Sequence, residues 1–226
     1  MANAYKVVRD LEAAICEYTG APYCVTTNSC TMALTLAVAW HIDRGPTGNA
    51  LRGWKDRELV EIPRRTYVSV PMAIIHAGGR PTFRDSEWIG GYQLSPLPVW
   101  DYARWFTSGM FQHMTASEVG LRHQRKSFAK MQCVSFHASK ILGDTQGGAI
   151  LHDDPEADAW LRRARFDGRT EGVAPKDDTF TQIGWHCYMS PDVAARLLLK
   201  LSVLPKHNKP LPNDPYPDLS TMDIFK

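Results

Sequence analysis

The sequence predicts an α/β domain with a mainly parallel central sheet flanked by helices. Two observations predict it. Short apolar runs alternate with helix-period patterns through the first hundred residues, the signature of strands separated by covering helices. The composition is that of a packed globular chain, with 44% hydrophobic and 22% charged residues in 226. A chain of this length buries about 70% of its unfolded surface without needing staples.

The elements follow in order. Tyr5, Val8, Leu11, Ile15 and Tyr18 recur at helical spacing, and Gly20 ends the helix. Tyr23 to Thr26 reads as a strand. Asn28 and Ser29 are good N-caps for a helix running to about Trp40. Residues 18–42 carry no Asp, Glu, Lys or Arg. Their dense apolar run, Thr31 to Trp40, is too short to span a bilayer and reads as a buried core helix. Asp43 to Asp56 is a Gly-, Pro- and Arg-rich loop. Leu59 to Ile62 is a strand stopped by Pro63. Ser69, with Pro71 just inside, opens a helix ended by Gly78 and Gly79.

Pro81 to Arg84 and Pro98 to Trp100 read as strands, the second ending on Asp101. Val134 to Phe136 and Gly147 to Leu151 are strands able to pair as a hairpin. Pro155 and Gly168 bracket a helix whose basic last turn (Arg162, Arg163, Arg165) suits the helix dipole. Ser190, Pro191 and Asp192 start a last helix to Leu204. From these elements we expect one large domain over 1–204. The five prolines of 205–226 predict an extended arm beyond it.

Composition also bounds the function. The formal charge is 26 minus 24, or +2, so no strong field calls for nucleic acid or an anionic membrane. The N-terminus has no apolar core of a signal peptide. The five cysteines form no CxxC, which disfavours a disulfide framework or structural zinc and suits a reducing cytosol.

In α/β sheets, ligands sit beyond the carboxyl ends of strands, so chemistry is sought there. Thr27 to Thr31 follows a strand and opens a helix; it caps that helix or holds an anion such as a phosphate. Asp101 at a strand end pairs with a ring nitrogen, binds a metal or caps a turn. Lys140 follows Ser135-Phe136-His137-Ala138-Ser139; it is a solvated amine, a phosphate ligand or a Schiff-base lysine. Hydroxyl-rich helix start, strand-end aspartate and Ser-x-x-x-Ser-Lys together match the three polar demands of pyridoxal phosphate: a phosphate, a pyridine nitrogen and an aldehyde.

Seven ordered stretches then resemble the DegT/DnrJ/EryC1/StrS family of sugar aminotransferases. Gly20 to Leu34 resembles GxxxAVxxSSGTAAL, Ile62 to Val70 resembles VPSFTFVAT, and Ala77 to Asp85 resembles AGAKPVFVD. Pro98 to Arg104 resembles PVIEDAAQ and Val134 to Lys140 resembles FSFHPTK. Gln146 to Ile150 resembles GEGGAI, and Gly184 to Ser190 resembles GYNYRMSE. The resemblance implies a pyridoxal-phosphate-transferase large domain with a reduced or absent small C-terminal domain. It implies a homodimer with a shared active site, moving an amino group from an amino acid to a carbonyl such as that of a sugar nucleotide; the cysteine usage above places it in the cytoplasm.

The resemblance also implies roles. Lys140 would form the internal aldimine and then move protons; Asp101 would keep the pyridine nitrogen protonated. Cys30, Thr31 and Ser135 would hold the phosphate, and Tyr67 would stack on the ring. His137 is either a further catalytic imidazole or a packed one. His186 stands where the family has an Asn reaching the neighbouring subunit's phosphate.

Two departures concern the pocket. Cys30 replaces the family's Gly, and Arg104 replaces a Gln or His at the phenolic oxygen, where it would favour the phenolate or bind a substrate carboxylate. The stretch from Asp85 to Pro98 is shorter than the family's, and that from Asp101 to Lys140 longer. An opened site leaves two other readings. One is altered cofactor chemistry, decarboxylation or elimination, on a larger amine such as a nucleotide or a nucleic acid base lined by His113, Arg122, His123, Arg125, Lys126 and Lys130. The other is a non-catalytic binding protein. Retention of Lys140 favours transamination.

Overall fold

The computed structural model describes residues 5–43, 57–113 and 130–226. The chain runs α1 (Lys6–Thr19), β1 (Tyr23–Thr27), α2 (Cys30–Asp43), β2 (Leu59–Pro63), α3 (Ser69–His76), β3 (Arg80–Arg84), β4 (Tyr92–Gln93) and β5 (Val99–Asp101). It continues through β6 (Met131–Ser135), β7 (Gly148–His152), α4 (Pro155–Ala164) and α5 (Pro191–Ser202). Gly20 takes φ 77°, and its N–H closes α1 on the Cys16 carbonyl, a left-handed cap that glycine adopts without strain.

The α/β layering stands, but the sheet is mixed rather than mainly parallel. The main sheet has the order β1-β7-β6-β5-β4, and β2 pairs with β3 in a second, two-stranded sheet. β5–β6 and β2–β3 are parallel; β1–β7, β6–β7 and β4–β5 are antiparallel. Two strands do what the apolar pattern could not reveal. β7 returns beside β6, the expected antiparallel pair, and then wedges between β6 and β1. β4, whose two residues carry no strand pattern, turns back on β5. A bridge from Glu61 to Ser95 links the two sheets.

Alternation along the central strands sends side chains to two cores. Cys133 and Ile150 face α2, α3 and α4, where Leu34, Leu36, Val38, Trp40, Ile74 and Leu161 pack. Val134, Ala149 and Leu151 face α1 and α5, with Leu11, Ile15, Leu197 and Leu201. α2 is apolar nearly all round, which explains its uncharged sequence: it is a buried core helix. No described helix is long and apolar enough to cross a membrane.

Residues 205–226 lack strands and α-helix, apart from 3-10 turns at Leu219–Thr221 and Asp223–Phe225. The arm is nevertheless stitched down. Its backbone bonds with Ser108, Arg104 and Arg64 through Lys206, Leu211 and Leu219, and Leu219 and Phe225 are buried.

Candidate active site

β1, β6 and β5 all run the same way, because β7 is antiparallel to both β1 and β6, and β5 is parallel to β6. Their carboxyl ends therefore meet at one edge. Thr27 and Ser135 both pair with Gly148, and Asp101 pairs with Cys133. The starts of α2 and α3 reach the same edge through the hydroxyl of Thr31, 2.9 Å from that of Ser69. The result is a cleft of about 400 Å³.

Gly148 makes this junction possible. A Cβ there would lie 2.5 Å from the Cys30 nitrogen and 2.6 Å from the Ser29 carbonyl carbon, so β7 passes directly under the first turn of α2. Gly148→Ala must push that backbone aside. Urea unfolding is expected to show a loss of about 1–3 kcal/mol, the usual cost of overpacking; a midpoint equal to the parent's would refute the contact.

Eight of the nine predicted residues line this cleft: Cys30 and Thr31 at the start of α2, Tyr67 before α3, Asp101 and Ser135 at strand ends, with Arg104, His137 and Lys140 on the loops that follow. His186 does not. It is well exposed, its Nδ1 lies 2.8 Å from Asp167 Oδ2, and its ring packs against Tyr188. Of the basic residues considered for a nucleic acid, Arg122, His123, Arg125 and Lys126 lie outside the described residues, as does the side chain of His113. Lys130 has its ammonium over the Phe111 ring.

Asp101 is buried and held at both oxygens: Oδ1 accepts from the Ala103 N–H at 2.8 Å, and Oδ2 from the Tyr92 hydroxyl at 3.0 Å. Tyr92 in turn shares a 2.5 Å hydrogen bond with Thr66. Burial pushes the Asp101 carboxyl above its ordinary range, opposed by these two hydrogen bonds and by Lys140. Lys140 is half-buried, and its amine is shifted the other way, below the ordinary lysine range, first by desolvation and then by the Arg104 cation. A carboxyl shifted up and an amine shifted down in one cleft mark a chemical site. Burial raises the Cys30 thiol well above its usual range, so Cys30 offers this site its backbone rather than a thiolate.

The same cleft is lined by Ser29, Thr31, Ser69, Ser135 and Ser139. Ser29 caps α2 by accepting from the Met32 N–H at 3.2 Å, while first-turn N–H groups of α2 have no partner within the helix. Hydroxyls around a helix N-terminus suit a phosphate. His137 is exposed, its Nδ1 3.2 Å from the Ser139 hydroxyl. The sequence reading missed Thr66, Trp88 and Gln146, and above all Asp214 and Tyr216, which the arm brings to the cleft. Asp214 pairs with Arg104 at 2.7 Å.

The model of the DegT/DnrJ/EryC1/StrS aminotransferase family matches residues 1–96 and 115–210. The chain belongs to that family. Comparison with curated proteins gives no match. Among solved structures, DesV of S. venezuelae, in complex with a ketimine intermediate, superposes with a TM-score of 0.63 at 19% identity. It is covered over 57% of its length by 88% of this chain. PseC of Helicobacter pylori, an aminotransferase of pseudoaminic acid biosynthesis, gives 0.64 at 19% identity, over 87% of this chain and 57% of PseC. A family aminotransferase from Brucella abortus gives 0.64 at 18% identity, over 88% of this chain and 58% of its own. The chain thus spans less than two thirds of the proteins whose fold it shares. Within this family the cofactor is pyridoxal phosphate. The cleft fits it: a buried carboxylate, a half-buried amine and a hydroxyl-rich helix start lie on one edge.

Proposed function

We propose that this DegT-family chain is a pyridoxal-phosphate aminotransferase that transfers an amino group from an amino acid to a carbonyl, such as that of a sugar nucleotide. The observation that carries the reading is the pairing of half-buried Lys140 with buried Asp101 in one cleft. Bound there, the cofactor would supply an aldehyde for condensation with amines and a ring that accepts electrons.

The chain's own residues supply the rest. Asp101 is fixed to receive an N–H from a ring nitrogen, and its negative charge holds a proton on that nitrogen. Thr31, Ser69 and Ser135 offer hydroxyls to a phosphate beside the α2 N-terminus. Lys140, its proton affinity lowered by desolvation, takes a proton from one substrate carbon and returns it to another atom. Tyr67 lines the cleft and is exposed, so its ring would be free to cover one face of a planar ligand.

His186 faces solvent, close in sequence to exposed Ile183, which suits contact with a second copy. A homodimer completing each site with His186, in a reducing cytosol, belongs to the same reading. Five free cysteines, four of them buried, are compatible with that compartment.

The test is direct. The purified protein should take up pyridoxal phosphate and turn yellow, and borohydride should fix the cofactor on the peptide carrying Lys140. A colourless protein that takes up none overturns the proposal.

A further inference from the structure

Resting on that reading, a further assignment concerns the part of the cleft lined by Arg104 and the arm. Arg104 is the one arginine lining the cleft among the described residues, and a guanidinium there would ordinarily be read as a fork for a substrate carboxylate. The arm has taken both of its terminal nitrogens. Nη1 donates to Asp214 Oδ2 at 2.7 Å and to the Tyr216 hydroxyl at 3.4 Å, and Nη2 donates to the Pro212 carbonyl. The Leu211 N–H closes back on the Arg104 carbonyl at 2.8 Å. The two-pronged geometry that grips a carboxylate is therefore already in use.

What the cleft presents instead is Asp214. The Arg104 side chain is 9% exposed behind it, whereas that of Asp214 is 62% exposed. Both hydrogen bonds to the carboxylate, from Arg104 and from the Tyr216 hydroxyl at 3.3 Å, fall on Oδ2. Nor is the segment a loose flap. Asn213 Nδ2 donates to the Trp88 carbonyl at 2.6 Å, and the Tyr216 ring lies parallel to Trp88 with centroids 6.3 Å apart. Leu219 N–H is tied to the Arg64 carbonyl just beyond. A carboxylate is thus fixed at the mouth with its counter-cation buried behind it.

We propose that Asp214 is a specificity-determining residue of this cleft, drawing in the ammonium end of an amine-bearing co-substrate and turning away one that presents a carboxylate at the same place. An approaching cation meets an opposite charge first and an approaching anion a like one. Swapping the sign of the ligand's far end reverses that interaction, which in a partly solvated mouth amounts to about tenfold in affinity.

A matched pair of probes reads this out: 1,5-diaminopentane and 5-aminopentanoate share one reactive amine and differ only in the charge of the far end. Both are titrated into the yellow protein and followed by absorbance. The parent should bind the diamine about tenfold more tightly, and salt should shrink the difference. Asp214→Asn should erase or invert the preference, and Asp214→Glu should keep it. Parent protein that favours the aminopentanoate, or a preference unchanged in Asp214→Asn, overturns the assignment. The salt series on the parent keeps the test decisive should Asp214→Asn fold poorly, since a preference insensitive to salt also refutes a charge mechanism. Uptake of pyridoxal phosphate is scored beforehand by colour, so failure of the aminotransferase reading is seen separately. In that event the two probes are compared by thermal shift on the cofactor-free chain, with the same expected order and the same refuting result.

Discussion

Lys140→Ala is expected to remove the transfer reaction, lowering the rate of amino-group uptake by about 10²–10⁴-fold from the loss of proton transfer alone. The amine lies half-buried in the cleft, and desolvation followed by the Arg104 cation lowers its proton affinity. Below the ordinary lysine range, more of the amine is neutral at a given pH, and only the neutral amine accepts a proton. The acid side of the pH–rate profile therefore reports this group. Arg104→Gln removes a cation and leaves Asp214 uncompensated, and both changes favour the protonated amine. The acid limb should accordingly move to higher pH in that variant. The measurement is single-turnover conversion of the cofactor-loaded protein by an amino acid, read by absorbance across pH. Lys140→Ala within tenfold of the parent would remove Lys140 from the reaction. An acid limb that stays put in Arg104→Gln would remove Arg104 from its tuning.

The cleft was legible because its contributors are short segments with local meaning. Strand, hydroxyl-rich helix start and strand-end aspartate each leave a pattern within a few residues, and Ser29 indeed caps α2. The family resemblance adds their order. What stayed hidden depends on distant pairing. The β6–β7 hairpin was readable from its short connection, but β7 against β1 and β4 against β5 were not, because a strand's apolar pattern is the same in either direction. Tyr92 reaches Asp101 only because β4 turns back on β5. The arm's prolines carry no sign of its anchorage: the Arg104–Asp214 contact spans 110 positions. Proline content predicts the absence of a ladder and says nothing of side chains that clamp the segment elsewhere.

The basic end of α4 shows the same limit with a larger energetic consequence. Arg162 and Arg165 read locally as complements to the helix dipole, but both are drawn across to α1. Arg165 is 1% exposed; its Nη1 donates to Glu12 Oε1 at 2.5 Å and to the Thr26 carbonyl at 2.7 Å, and its Nη2 to Glu171 at 2.8 Å. Glu12 also accepts from Arg162 at 2.7 Å, from Arg9 at 3.1 Å and from the Thr26 N–H at 2.9 Å. Arg9 pairs with Glu171, and Arg162 with Asp158. Three arginines and three carboxylates thus balance to zero while tying α1, β1, α4 and the segment after it. Burial disfavours the Arg165 cation, but Glu12 and Glu171 more than offset it and hold it charged. Arg165→Met removes one cation and leaves two arginines facing three carboxylates, with buried Glu12 deprived of its most buried partner. Breaking such a network costs about 3–5 kcal/mol, and for a chain of this size that lowers the melting temperature by about 10 °C. In Glu12→Met/Arg165→Met the two largest uncompensated charges leave together, so the double variant should lose less than the sum of the single ones. Calorimetry of the parent, both single variants and the double closes that cycle. Additive losses, or an Arg165→Met protein within about 1 kcal/mol of the parent, would mean that the core and not this network joins α1 to the sheet.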